Sequence, residues 1–229
     1  MNDKLNKLLQ SAIEDIDEKE RKLHMNWGWV KLPMDSESCL SAMKVMLNRH
    51  TQKKCGSDFI IDKHNSHCID QVIAYMTGST EFKGSHTKGL ILIGNFGTGK
   101  TTIISAMCDV YFALRNRIIQ QISAVELAAA IKSGTSTVRE FYTKPLFLDE
   151  IGREADTVKD YGTDIRPVAD VLSSRYARNS LTFATANFII ERKDAKGGLC
   201  LEDKYGTYIS DRMKEMFNVI VLTGDSRRK

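Results

Sequence analysis

The fold turns on one stretch, "KGLILIGNFGTGKTTIISAM", Lys88 to Met107. It opens with a continuous apolar run, Leu90 to Ile93, with no polar alternation. Such a run reads as a strand buried on both faces. It closes with "KTTIISAM", where apolar residues recur at helical spacing. Between them, Gly94 to Thr101 fits the pattern G-x-x-x-x-G-K-[ST]. Strand, glycine-rich loop and helix therefore follow one another directly. Gly94, Gly97 and Gly99 let the backbone turn tightly and aim N–H groups inward. Together with the helix N-terminus they form a cradle for phosphate anions. Lys100 is placed to reach the outer phosphates and Thr101 to set its hydroxyl on Mg²⁺. The nucleotide-binding residues expected are Gly94, Asn95, Phe96, Gly97, Thr98, Gly99, Lys100, Thr101 and Thr102.

Downstream, "PLFLDEIG" is a second apolar strand, ending in Asp149 and Glu150. An acid at such a strand tip holds the magnesium ion, and the next one can polarise a water. Kinases with this loop often lack the second acid, so the pair favours nucleotide hydrolysis over transfer to a small acceptor. A further strand ends in "FATAN". Its Asn187 is placed to hydrogen-bond both a phosphate oxygen and the attacking water if that strand is central. An asparagine that merely starts a turn is the alternative.

The rest of the chain alternates strand and helix. "NSHCIDQVIAYMTG" reads as a helix capped by Asn65, "NRIIQQISA" as a strand and "VELAAAIKS" as a helix. Pro167 opens "PVADVLSSRYAR", "YISDRMKEMF" is a short helix, and "NVIVLTG" is the fifth strand. Repeated strand–helix units imply a mostly parallel sheet flanked by helices. Ahead of this, "NDKLNKLLQSAIEDIDEKERKL" carries one apolar stripe, Leu5, Leu8, Leu9, Ala12, Ile13 and Ile16. That stripe suits packing on its own domain or docking on another protein. A second helix is expected over about Ser36 to His50. The polar passage "HTQKKCGSD" then reads as a linker, dividing an N-terminal helical, partner-binding region, residues 1–55, from an ATPase core, residues 56–229.

At 229 residues and 42% apolar, the chain can bury one real core with a small appendage. A net charge of +4 permits a nucleic-acid partner without requiring one. Five cysteines without a CxxC pair read as reduced thiols in a cytosol-like compartment. His50, Cys55, His64, His67 and Cys68 cluster in sequence, but their spacing is too irregular for the usual zinc patterns. No apolar run approaches the roughly 20 residues needed to cross a bilayer, so no membrane partner is expected.

The order GNFGTGKT, LFLDE, FATAN and YISDRM before a last strand resembles AAA+ ATPases over about residues 59 to 227. Within that superfamily it is most similar to the DnaC/DnaI-type helicase loaders and the related IstB-type transposition ATPases. The resemblance implies a cytoplasmic, Mg²⁺-dependent ATPase with a five-stranded parallel P-loop sheet. Asp149 would hold the metal together with Thr101, Glu150 would be the hydrolytic acid, and Asn187 the first sensor residue. It implies that Arg212 acts as a finger on the ATP of a neighbouring subunit, hence an oligomer with shared sites. Partners would be single-stranded DNA and a replicative helicase, with a transposase in the IstB alternative. A small-metabolite kinase is a third reading, and it leaves Glu150, Asn187 and Arg212 without roles. Candidate DNA contacts are Lys132, Arg139, Lys144, Arg153 and Lys159. "LTGDSRRK" leaves no room for the usual helical lid, which is expected to be missing or vestigial. Its Arg227 and Arg228 suit a sensing role or a solvated basic tail.

Overall fold

The structure, a computed structural model, describes residue 14 and residues 28–155, 157–160, 163–190 and 200–227, without the side chains of 158–160, 163 and 164. The stripe Leu5 to Ile16, apart from the position of Glu14, and Arg228 lie outside the described residues.

Seven strands are described: β1 (Gly89–Gly94), β2 (Gln120–Ser123), β3 (Leu146–Ile151), β4 (Val158–Asp160), β5 (Thr163–Ile165), β6 (Thr182–Ala186) and β7 (Phe217–Leu222). Five of them form one sheet in the order β2-β3-β6-β1-β7, with every pair parallel. The helices are α1 (Ser36–Cys55), α2 (Ser66–Thr77), α3 (Lys100–Arg115), α4 (Ala124–Lys132), α5 (Pro167–Ala177), α6 (Leu201–Tyr205) and α7 (Thr207–Met216). The short pair β4–β5 was not expected. It is antiparallel, lies in the stretch from Gly152 to Ile165, whose polar composition reads as a loop, and its strands are only three residues long.

The doubly buried strands divide the interior in two. On β1, Leu90 and Leu92 face one way and Ile91 and Ile93 the other, as the two-residue period requires. The first face packs against α1, α2 and α3 through Met43, Leu47, Val72, Met76, Ile103 and Met107. The second packs against α4, α5, α6 and α7 through Leu127, Ile131, Leu172, Leu201 and Met213. Arg175 is wholly buried in the second layer. It donates to Thr182 Oγ1 at 2.8 Å, the Phe141 carbonyl at 2.5 Å and the Leu181 carbonyl at 2.6 Å. Burial pushes its guanidinium down to about 9.

Helix α1 departs from the expected boundaries. It runs through the supposed linker to Cys55, where Gly56 at φ 65° ends it and donates its N–H to the Gln52 carbonyl. The polar residues "QKKC" are its solvent-facing last turn. Leu32, Cys39, Met43 and Leu47 are fully buried in the same cluster as Leu90, Ile103 and Met107. Among the described residues, packing is therefore continuous across residue 55. Asn65 sits at the N-cap of α2 as expected, but its amide caps nothing there. It accepts from Asp62 N and donates to the Ile60 carbonyl, shaping the turn before the helix.

Candidate nucleotide site

Parallel strands deliver their C-terminal ends to one edge of the sheet, and the loops there hold ligands in open α/β folds. β1 delivers Gly94 to Thr101 to that edge. Gly97 at φ 74° and Gly99 at φ 101° adopt backbone that L-residues rarely take, which is what bends the loop. Helix α3 begins at Lys100 directly after it. The Lys100 ammonium, largely buried, donates to the carbonyls of Gly94 at 2.8 Å and Asn95 at 2.7 Å. Thr98 is buried and donates to the Asn95 carbonyl at 2.9 Å, bracing the loop from inside. Phe96 is exposed at its tip, and Thr102 is half-buried in the first turn of α3.

Asp149 comes from the adjacent part of the sheet. Its Oδ1 accepts from Thr101 Oγ1 at 2.9 Å and from Thr185 Oγ1. Burial raises the Asp149 carboxyl above its usual range, against the lowering effect of those two hydroxyls. Thr101 and Asp149 supply hydroxyl and carboxylate oxygens side by side, a donor set that suits Mg²⁺, which takes hard oxygen ligands.

Thr185 was not read from the sequence, and its role follows from a bulge. Leu148 pairs with Ala184 and Ile151 with Ala186, so β3 advances three residues while β6 advances two. The extra residue turns Glu150 to φ 54°, a strained backbone for a non-glycine. The Glu150 N–H leaves the ladder and donates to Thr185 Oγ1 at 2.8 Å. One buried hydroxyl thus joins the Asp149 carboxylate to the Glu150 backbone N–H. The Glu150 carboxylate pairs with Arg153 at 2.6 Å, and that guanidinium lies 5.9 Å from the Phe96 ring centroid.

Asn187 follows β6, which lies between β3 and β1, so the condition set for it is met. Its amide nitrogen is shielded from solvent and has no hydrogen-bond partner among the described residues. The other flank of the loop is formed by the segment around Asp62, to which the sequence assigns no role, and by Arg227, expected to be a sensing residue or part of a solvated basic tail. Arg227 N donates to the Gly97 carbonyl at 2.9 Å, and its guanidinium forms a forked pair with Asp62 at 2.8 and 2.7 Å. A Cβ on Gly97 would meet Ser226 Oγ at 2.2 Å, and one on Gly99 would touch Phe59 at 3.6 Å. The His64 N–H, then Arg227, hold the Asp62 carboxyl below its usual range.

Arg212 stands apart from this constellation. It lies 3.8 Å from the ring centroid of Tyr208 and 4.8 Å from that of Tyr176, and donates to Ser173 Oγ and Tyr208 Oη. Those partners belong to α5 and α7 of the same chain. Lys132, Arg139, Lys144 and Arg153 are exposed, whereas the side chain of Lys159 lies outside the described ones. No group of three or more His, Cys, Asp or Glu is arranged for a metal ion among the described residues. His50 instead meets Asp109 at 3.0 Å, and burial pushes the Cys68 thiol up to about 12. No described helix is long and apolar enough to cross a membrane.

Two solved structures share this fold. One is described as DnaI, superposing with a TM-score of 0.54 at 22% identity over 86% of this chain and 96% of that one. The other is described as the DnaC helicase loader, with a TM-score of 0.53 at 19% identity over 74% of this chain and 95% of that one. The fold is that of the DnaC and DnaI proteins. It is the expected five-stranded parallel sheet flanked by helices. No protein-family model and no curated protein matches the sequence.

Proposed function

We propose that the chain binds and hydrolyses Mg²⁺–ATP, and that it serves DNA replication as a helicase-loader-like ATPase in the cytoplasm, assembling on single-stranded DNA and delivering a replicative helicase. The observation that carries the reading is the bridge Thr101–Asp149–Thr185–Glu150 directly beneath the phosphate cradle, on a loader fold. Gly94 to Thr102 take the phosphates, with Lys100 turning from the loop carbonyls to the outer phosphate. Thr101 and Asp149 would hold Mg²⁺, which would neutralise phosphate charge. Asp149 would then not be available as base, because a metal-holding carboxylate stays ionised. Glu150 is left for that task, and its strained backbone aims it away from the ladder. Its carboxylate is tied to Arg153 at 2.6 Å, so it must leave that pair to face the attacking water. The pair opens in the active state. The Asn187 amide nitrogen, shielded and without a hydrogen-bond partner among the described residues, gains one when phosphate and water are present.

The site needs positive charge opposite the outer phosphate to stabilise the transition state. Arg212 supplies it to the neighbouring subunit. Tyr176 and Tyr208 hold the guanidinium in place, which lowers the entropy lost on engagement. The N-terminal residues 1–22 grip the helicase. Two measurements test the whole reading: ATP turnover with and without single-stranded DNA, and capture of a replicative helicase by the full chain and by a chain lacking residues 1–22. DNA-stimulated turnover in both, with capture by the full chain alone, is expected. Capture of a transposase in place of a helicase would refute the replication role.

A further inference from the structure

Behind Glu150 lies a buried polar knot that none of the roles above uses. Glu154 is 5% exposed and Tyr205 4% exposed. Tyr205 Oη donates to Glu154 Oε1 at 2.6 Å. The Gly152 N–H is shared between Glu154 Oε2 at 3.0 Å and Tyr205 Oη at 2.9 Å. Lys204 donates to the Glu154 carbonyl at 2.5 Å and stands 3.8 Å from its carboxylate. Burial, then the adjacent carboxylate, pushes the Tyr205 phenol far up, so it remains a donor.

The knot grips a defined point. Gly152 has φ 95° and stands two residues after Glu150 at φ 54°. Two left-handed residues this close make a turn that is not self-supporting. A Cβ on Gly152 would come within 2.9 Å of Leu201 and 3.0 Å of Phe188, so the turn is pressed against α6 and against the residue after Asn187. A buried carboxylate with a phenol and an ammonium is weak evidence for stability, because desolvation offsets most of the attraction. What such a cluster does supply is fixed geometry.

We infer that Glu154 and Tyr205 are positioning residues that lock the Glu150–Gly152 turn onto α6 and so aim the Glu150 carboxylate at the attacking water. The inference rests on the reading of Glu150 as the hydrolytic acid. A misplacement of about 1 Å at a reacting group lowers rate by up to about 10²-fold, while ground-state binding is untouched.

The test uses the full chain with Mg²⁺, ATP and single-stranded DNA. Tyr205→Phe keeps the ring and removes the hydroxyl. It should lower kcat about tenfold or more and leave the Kd of a non-hydrolysable ATP analogue within about twofold. Glu154→Gln should show the same split. Unchanged kcat overturns the inference. So does a parallel loss of kcat and analogue affinity, or failure of both variants to fold, since each makes the knot purely structural. A parent that matches Glu150→Gln in turnover overturns the hydrolytic reading itself, and is recognised before either variant is compared.

Discussion

Asp149 is held in a setting that opposes its own charge. Burial raises its pKa above the ordinary 3.8, so the folded chain binds that proton more tightly than the unfolded chain does. Its contribution to stability is therefore present at low pH and lost as pH rises through the raised value. At neutral pH the ionised carboxylate weakens the fold and is retained for the metal. Asp149→Asn should accordingly raise the melting temperature of the nucleotide-free chain at pH 7, by about 2–4 °C for each kcal/mol regained. The gain should shrink as pH is lowered through the raised value towards 3.8. Mg²⁺-dependent ATP binding should weaken in the same variant. Thermal unfolding at the two pH values checks this, and a lower melting temperature at pH 7 would contradict it. At this scale the placing of the loop between a strand and a helix, and of both acids towards the end of an apolar strand, was legible from spacing and hydrophobic pattern. Thr185 was not. A threonine in a buried strand is ordinary, and only the bulge opposite turns its hydroxyl into a bridge. Glu154 and Tyr205 are about 50 residues apart, and nothing in the sequence pairs them.

Among the elements, α1 is the one that changes the account. Its apolar positions Cys39, Met43 and Leu47 lie against α3, the helix that opens at Lys100. The sequence reading ended this helix near His50 because Thr51 to Cys55 are polar, yet polar residues propagate a helix well when one face of it is already buried. The site helix is thus braced by a segment that the sequence assigned to the N-terminal region. Leu47→Ala should destabilise the chain by about 2–5 kcal/mol, as truncation in a closed core does. Denaturant unfolding should show a single transition shifted to lower concentration, and the melting point of the ATP-analogue complex should fall with it. A separate early transition, with the nucleotide-protected one unmoved, would show that α1 folds apart from the core. The β4–β5 pair escaped reading for a different reason. Strands of three residues carry too little alternation to stand out from a polar loop.

For the whole molecule, the two cores place the phosphate loop at one edge of the sheet, while Arg212 is clamped on the surface of α5 and α7. An arginine so held contacts no part of its own phosphate cradle among the described residues, which accords with action on a second copy. Mixing tests this. Arg212→Ala and Glu150→Gln chains should each be nearly inactive, and together should regain part of the turnover, because some interfaces then join an intact site to an intact arginine. No rescue would remove the shared-site arrangement and leave the nucleotide site standing. The five-stranded parallel sheet and the helices on both faces were legible from strand–helix alternation, but the strand order was not. The packing of α1 was not, because it depends on contacts across the first core. The measurement closest to the central claim is ATP turnover by the parent and by Glu150→Gln, with Mg²⁺ and saturating single-stranded DNA. The parent should turn over, while Glu150→Gln should bind ATP as well and its turnover should be lower by about 10²-fold or more; equal turnover by the two would contradict the account.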